Sequence, residues 1–99
     1  MTKIKKLVEA IDEEICGAKE YAEKYVEHKA AGNMNWANKF KEMANDELRH
    51  ATILHDKATE DINELNKVFK PTMEMQKMWD DSHVAYVEKV AWIKQMLQM

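Results

Sequence analysis

Only two points in this 99-residue chain force a helix to stop, Gly32–Asn33 and Pro71. Gly and Asn tolerate the left-handed conformation that ends a helix. Proline lacks a backbone donor and clashes with the preceding turn, so a helix breaks just before it. Between the stops, apolar residues recur every three or four positions. The first segment carries Ile4, Val8, Ile11, Ile15, Ala18, Ala22 and Tyr25, with steps of four and three in heptad order. The second carries Trp36, Phe40, Met43, then Leu54, Ala58 and Leu65; the third carries Met75, Trp79, His83, Tyr86, Val90, Ile93 and Leu97. This spacing predicts helices over about 2–31, 34–68 and 72–97, with Asn33 or Asn35 capping the second. Short connections make consecutive helices antiparallel. The expected fold is all-α, an antiparallel three-helix bundle in one domain spanning 1–99, completed by dimerisation.

Composition agrees with helices and narrows the partners. There are two glycines and one proline, and 33% of residues are charged, which belongs to helical bundles and not to sheets. The net charge is −3 with acids and bases interleaved, so no electrostatic footprint for nucleic acid is present. No apolar run approaches membrane-spanning length. Cys16 stands alone, which rules out an intrachain disulfide, and it reads as a small packing residue because no basic neighbour at helical spacing would activate it. The lysines at 3, 5 and 6 are followed by acids, unlike a signal or transit peptide. A cytoplasmic protein is the expectation.

The second helix breaks its own pattern. Between Met43 and Leu54, helical spacing asks for core residues at 47 and 50, and the chain supplies Glu47 and His50. Burying either without a partner is unfavourable. A carboxylate at i and an imidazole at i+3 share a helical face, so both can reach one ion. In the first helix, Glu9, Glu13, Glu20, Glu23 and Glu27 point away from the stripe, whereas Glu14 flanks it in a column with Leu7, Tyr21 and His28. Folding the first two helices about Asn33 brings Glu14 and His50 level to within about a turn. Oxygen and imidazole donors suit iron, manganese or zinc better than copper. The plainer alternatives are a hydrogen-bonded Glu47–His50 pair that fixes helix register and a solvated Glu14.

The segments Asp12-Glu13-Glu14-Ile15-Cys16-Gly17-Ala18-Lys19-Glu20-Tyr21-Ala22 and Asp46-Glu47-Leu48-Arg49-His50-Ala51 resemble the ferritin-like superfamily, nearest its rubrerythrin-type branch. In that family a Glu on one helix, with a Tyr seven residues later, faces a Glu-x-x-His on the next, and Glu14, Tyr21, Glu47 and His50 match those places. The resemblance implies a di-iron carboxylate site and oxidation of ferrous iron by oxygen or peroxide. It covers about two thirds of the chain and supplies half of the family's ligand set, which comes from four helices. Helix three offers Asp80-x-x-His83, but His83 is expected roughly 10 Å from the Glu47–His50 layer. A two-fold homodimer, or a higher homo-oligomer, would complete the set with a second Glu14, Glu47 and His50.

The remaining residues carry weaker signals. Tyr21 reads as a packing residue or a group beside a metal. His83 reads as an inward, hydrogen-bonded histidine or an additional ligand, and His28 and His55 as rim residues. Met73, Met75, Met78, Met96 and Met99 suit flexible packing more than cuprous ion. Trp92, with Met78 and Met96 on the same polar side, suggests a contact surface. Gly17 is about 1 kcal/mol less favourable inside a helix than Ala, which a close helix crossing would explain. The functional expectation is a ferritin-like metal-binding protein with a di-iron site at a subunit interface and ferroxidase-type chemistry; no catalytic residue is singled out. In that site Glu14, Glu47 and His50 hold iron, or else manganese or zinc, and Glu47 bridges. The alternative is a metal-free helical interaction or assembly module on the same scaffold. Cargo of a protein shell ranks last, because the chain ends in helix and not in a flexible tail.

Overall fold

A computed structural model of the chain describes residues 2–68 and 70–99, and every side chain among them except that of residue 2. It contains three helices and, among the described residues, no strand: α1 (Thr2–Ala30), α2 (Met34–Asn66) and α3 (Met73–Met96). Their ends follow from local chemistry. Gly32 takes φ +78°. The Gly32 amide donates to the Lys29 carbonyl at 3.0 Å and the Asn33 amide to the His28 carbonyl at 2.9 Å, the paired bonds of a Schellman motif. Asn33 then serves the next helix, its Oδ1 accepting from the Trp36 amide at 3.4 Å. After Pro71, Thr72 caps α3 by accepting from the Met75 amide at 3.2 Å.

The helices form a rod 55 Å long and 17 Å across. α1 and α2 lie antiparallel. α3 runs alongside α1 in the same direction: Ile4 shares a small pocket with Met75 and Trp79, Ile15 shares a groove with Ile93, and the Lys29 ammonium donates to the Met99 carbonyl. The core holds Ile11, Ile15, Tyr25 and Leu48, with Ile93 from α3 and Leu97 just past its end.

The α1–α2 seam is built from small residues. Ala18, Ala22, Ala37, Ala44, Ala51 and Ala58 are all sealed from solvent. This corrects the expected stripe of α2. Large apolar residues pointed to a line through Trp36, Phe40 and Met43, yet Trp36 is 48% exposed and Met43 40%. Alanines let two helices approach closely, so the buried line shifts by one position, to 37, 44, 48, 51 and 58. The large side chains are left on its flank. Two smaller expectations also change. Met96 is buried, not part of a surface with Trp92, and Cys16 is exposed on the α1–α3 groove instead of packed.

Candidate metal centre

Glu14, Glu47 and His50 come together on the flank of the α1–α2 seam. α3 lies on the other flank, where Thr52 and His55 meet it. One ligand-capable atom from each of the three lies within 4.8 Å of the others. Their meeting is a matter of register. The hairpin about Gly32–Asn33 makes Glu14 level with His50, and His50 Nδ1 sits 3.5 Å from Glu14 Oε2.

The expectation that Glu47 and His50 occupy the core is corrected. No polar or charged residue is buried among the described residues, and the His50 side chain is 43% exposed. Both sit at the edge, because the seam's centre belongs to Ala44, Leu48 and Ala51.

Gly17 explains how the Glu47 carboxylate fits. A Cβ at position 17 would stand 3.3 Å from Glu47 Oε2. The glycine therefore leaves the space that the carboxylate of the neighbouring helix fills. Gly17→Ala is expected to stabilise the metal-free chain by up to about 1 kcal/mol through helix propensity. It would push Glu47 outward by a few tenths of an ångström and weaken cation binding. Thermal melts and cation titrations of this variant should move in opposite directions; if both improve, Glu47 has no need of that space.

The electrostatics are unbalanced as they stand. Glu14 Oε2 is closed off from water and makes no hydrogen bond. Glu47 is held above the ordinary glutamate range. The largest cause is a hydrogen bond to Glu14 open only to a protonated carboxyl; partial burial and the Glu14 charge add to it, and His50 opposes it. Two carboxylates so placed share one proton or one cation. The residues fit a metal ion on three observations: the orphaned Glu14 oxygen, the converging oxygen and imidazole donors, and the glycine-lined space around Glu47.

Tyr21 lies two turns along the same column as Glu14, half-buried and stacked on Phe40 with ring centroids 6.3 Å apart. His28 stacks obliquely on the same Phe40 at 5.0 Å. His83 is not brought to the cluster. Expected to face inward, it is exposed, and its Nδ1 is 3.0 Å from His55 Nε2 on the opposite flank of α2. The reason is register, since antiparallel folding about Pro71 sets position 83 level with His55, more than a turn of α2 beyond His50. Sequence reasoning missed this pairing. His55 was read as a rim residue, and the same level argument run between α2 and α3 would have found its partner. Asp80 stays on the surface and accepts from Gln76 at 2.9 Å.

A carboxylate on one helix facing Glu-x-x-His on the next is half of the ligand pattern found in ferritin-like di-metal bundles. The rubrerythrin family model matches residues 5–95, nearly the whole chain, so the chain belongs to the rubrerythrin family. Searches of curated proteins and of solved structures returned no match. No helix among the described residues is long and apolar enough to cross a membrane.

Proposed function

We propose that Glu14, Glu47 and His50 hold one iron ion per chain, and that two copies pair across this face to form a di-iron carboxylate site that oxidises ferrous iron. The observation that carries the reading is Glu14 Oε2, an acceptor shut off from water, without a hydrogen bond, beside a second carboxylate and an imidazole. Leaving such an acceptor unmet is unfavourable by about 1–3 kcal/mol. A cation meets it and cancels the repulsion from Glu47 together.

Each side chain has a distinct task. Glu14 and Glu47 supply negative charge, and their anionic oxygens favour a harder cation. His50 supplies a neutral nitrogen and fixes which side of the site is imidazole. Glu47, set against Gly17 and within reach of both other donors, would be the carboxylate shared by two ions. Iron bound there would supply the electron that oxygen takes up. Tyr21, one turn along α1 from Gly17, stacks on Phe40 and would stand beside the metal as a neighbouring group and not as a ligand.

Support for a second copy comes from the same flank. Trp36, Phe40, Met43 and Leu54 follow the Glu47–His50 line at helical spacing, and the first three are half-exposed or exposed. An apolar strip running through an incomplete ligand set suits self-association about a two-fold axis, where each residue meets its own copy or a near neighbour. The second reading, a metal-free assembly module, draws on Val84, Val87 and Trp92, each more than half exposed on α3. It leaves the Glu14–Glu47 repulsion without a purpose. Elemental analysis of purified protein separates the two.

Binding should depend on pH in a defined direction. Because Glu47 holds its proton above the ordinary glutamate range, protons compete with the cation at milder acidity than at an ordinary glutamate. Titrations with Mn²⁺, chosen because it stays divalent in air, should show affinity falling about tenfold per pH unit for each proton displaced. The decline begins above 4.5, the ordinary value. Affinity that stays flat down to that pH would remove Glu47 from the ligand set.

A further inference from the structure

α3 is fastened unevenly. Its buried residues, Ile93 and Met96, lie at its C-terminal end with Leu97 beyond them, and no residue from Met73 to Trp92 is buried. Ahead of that anchor α3 lays only partly buried apolar residues, among them Trp79, Tyr86 and Val90, against the core, and two polar links tie its middle to α2. Tyr86 and Thr52 share a hydroxyl–hydroxyl hydrogen bond of 3.1 Å, and His55 Nε2 lies 3.0 Å from His83 Nδ1. The His55 ring is clamped, stacked on Tyr86 at 4.2 Å and on Trp79 at 5.5 Å. With only two imidazoles the cluster is not a metal group: among the described residues the one group of three suitable donors is Glu14, Glu47 and His50.

We infer that the His55–His83 pair is a proton-operated clasp, which holds the N-terminal half of α3 on α2 and lets it swing about Ile93, Met96 and Leu97 when both rings are protonated. Two imidazoles share a hydrogen bond as long as one of the facing nitrogens has a free lone pair. That holds when both rings are neutral and when one is charged. A second proton places an N–H on each side and sets two positive charges face to face.

Few other charges bear on the pair. On α2, Asp56 favours protonated His55, but burial and His83 outweigh it and lower the His55 pKa. On α3, Asp80 stands one turn before His83 and is engaged by Gln76, while Trp79 and Tyr86 are neutral. No group of α1 contributes to the His55 shift. The sign follows. A base whose pKa is lowered on folding binds fewer protons in the native state, so the clasp is fully closed above the ordinary value of 6.5 and weakens as pH falls below it. Opening would uncover the apolar pocket lined by Ile4, Ile62, Leu65 and Trp79.

Hydrogen exchange read by mass spectrometry on the full chain, at pH 7.5 and 5.0 and corrected for intrinsic rates, tests this. Protection of residues 73–86 should drop at least tenfold at the lower pH, while the α1–α2 seam changes less than twofold. His83→Asn replaces the Nδ1 contact with an uncharged amide that can donate or accept, and should abolish the step; His55→Gln does the same from the other side. A step that survives in both variants, equal protection of 73–86 at the two pH values, or loss of protection in all three helices together would each overturn the clasp.

Discussion

Glu47→Gln is expected to make the metal-free protein more stable and to abolish its metal binding. The raised Glu47 pKa means that the native state holds this proton more tightly than the unfolded chain does. Stability of the metal-free protein therefore falls as pH rises from the ordinary value of 4.5 through the raised one, and at neutral pH the ionised group opposes folding. An amide at position 47 carries no charge and can donate to Glu14 Oε2, which makes no hydrogen bond and has only the His50 imidazole 3.5 Å away. Relief of one unmet acceptor is on the order of 1 kcal/mol, which for a domain this size raises Tm by about 5 °C. The same change removes an anionic ligand. Even partners that only orient a ligand are worth 10–100-fold in metal affinity, so losing the ligand itself should cost roughly 100-fold or more. Melting curves of the metal-free forms and Mn²⁺ titrations read the two effects separately. A variant that melts lower than wild type and binds Mn²⁺ as well would refute both halves.

Metal loading should stabilise the protein strongly, and more so in concentrated solution. A ligand at about 100 times its Kd adds about 2.7 kcal/mol, which translates into roughly 10–20 °C in Tm here. If a second copy closes the site, the folded, loaded species is a dimer, and its melting temperature climbs with protein concentration. Melts with and without Mn²⁺ at two protein concentrations far apart distinguish the cases. A rise that depends on concentration supports closure by a second copy. A rise of equal size at both concentrations places the complete site within one chain, and no rise at all leaves the cluster without a metal.

Different parts of the molecule were legible in the sequence to different degrees, for physical reasons. The stops at Gly32 and Pro71 and the α1 stripe through Ile4, Ile11, Ile15, Ala18, Ala22 and Tyr25 could be read directly, because backbone conformation and heptad spacing act locally. The juxtaposition of Glu14 with Glu47 and His50 was also readable, since a tight hairpin turns sequence distance into height along the rod. The buried line of α2 was not. Side-chain size drew attention to Trp36 and Met43, while the close approach of two helices depends on Ala37, Ala44, Ala51 and Ala58. That misplacement made Glu47 and His50 look more buried than they are.

The position of α3 was harder still. Nothing in its own residues states which side of the hairpin it will cover, and the answer decides what the Glu14–Glu47–His50 face is free to meet. α3 packs on the flank opposite this cluster, so His83 pairs with His55 and the acidic face stays uncovered. Among the described residues the three helices supply only half of the family's ligand set. Gly17 was readable in part: its unfavourable place inside a helix pointed to a close crossing, but not to the Glu47 carboxylate, thirty positions away, as what fills the space.

Native mass spectrometry of protein loaded anaerobically with ferrous iron tests the metal-gripping interface most directly. Wild type should appear as a dimer carrying two irons, or as a multiple of that unit, and Glu47→Ala should appear without bound iron. Iron-free wild-type protein, or a monomer that carries two irons by itself, would contradict it.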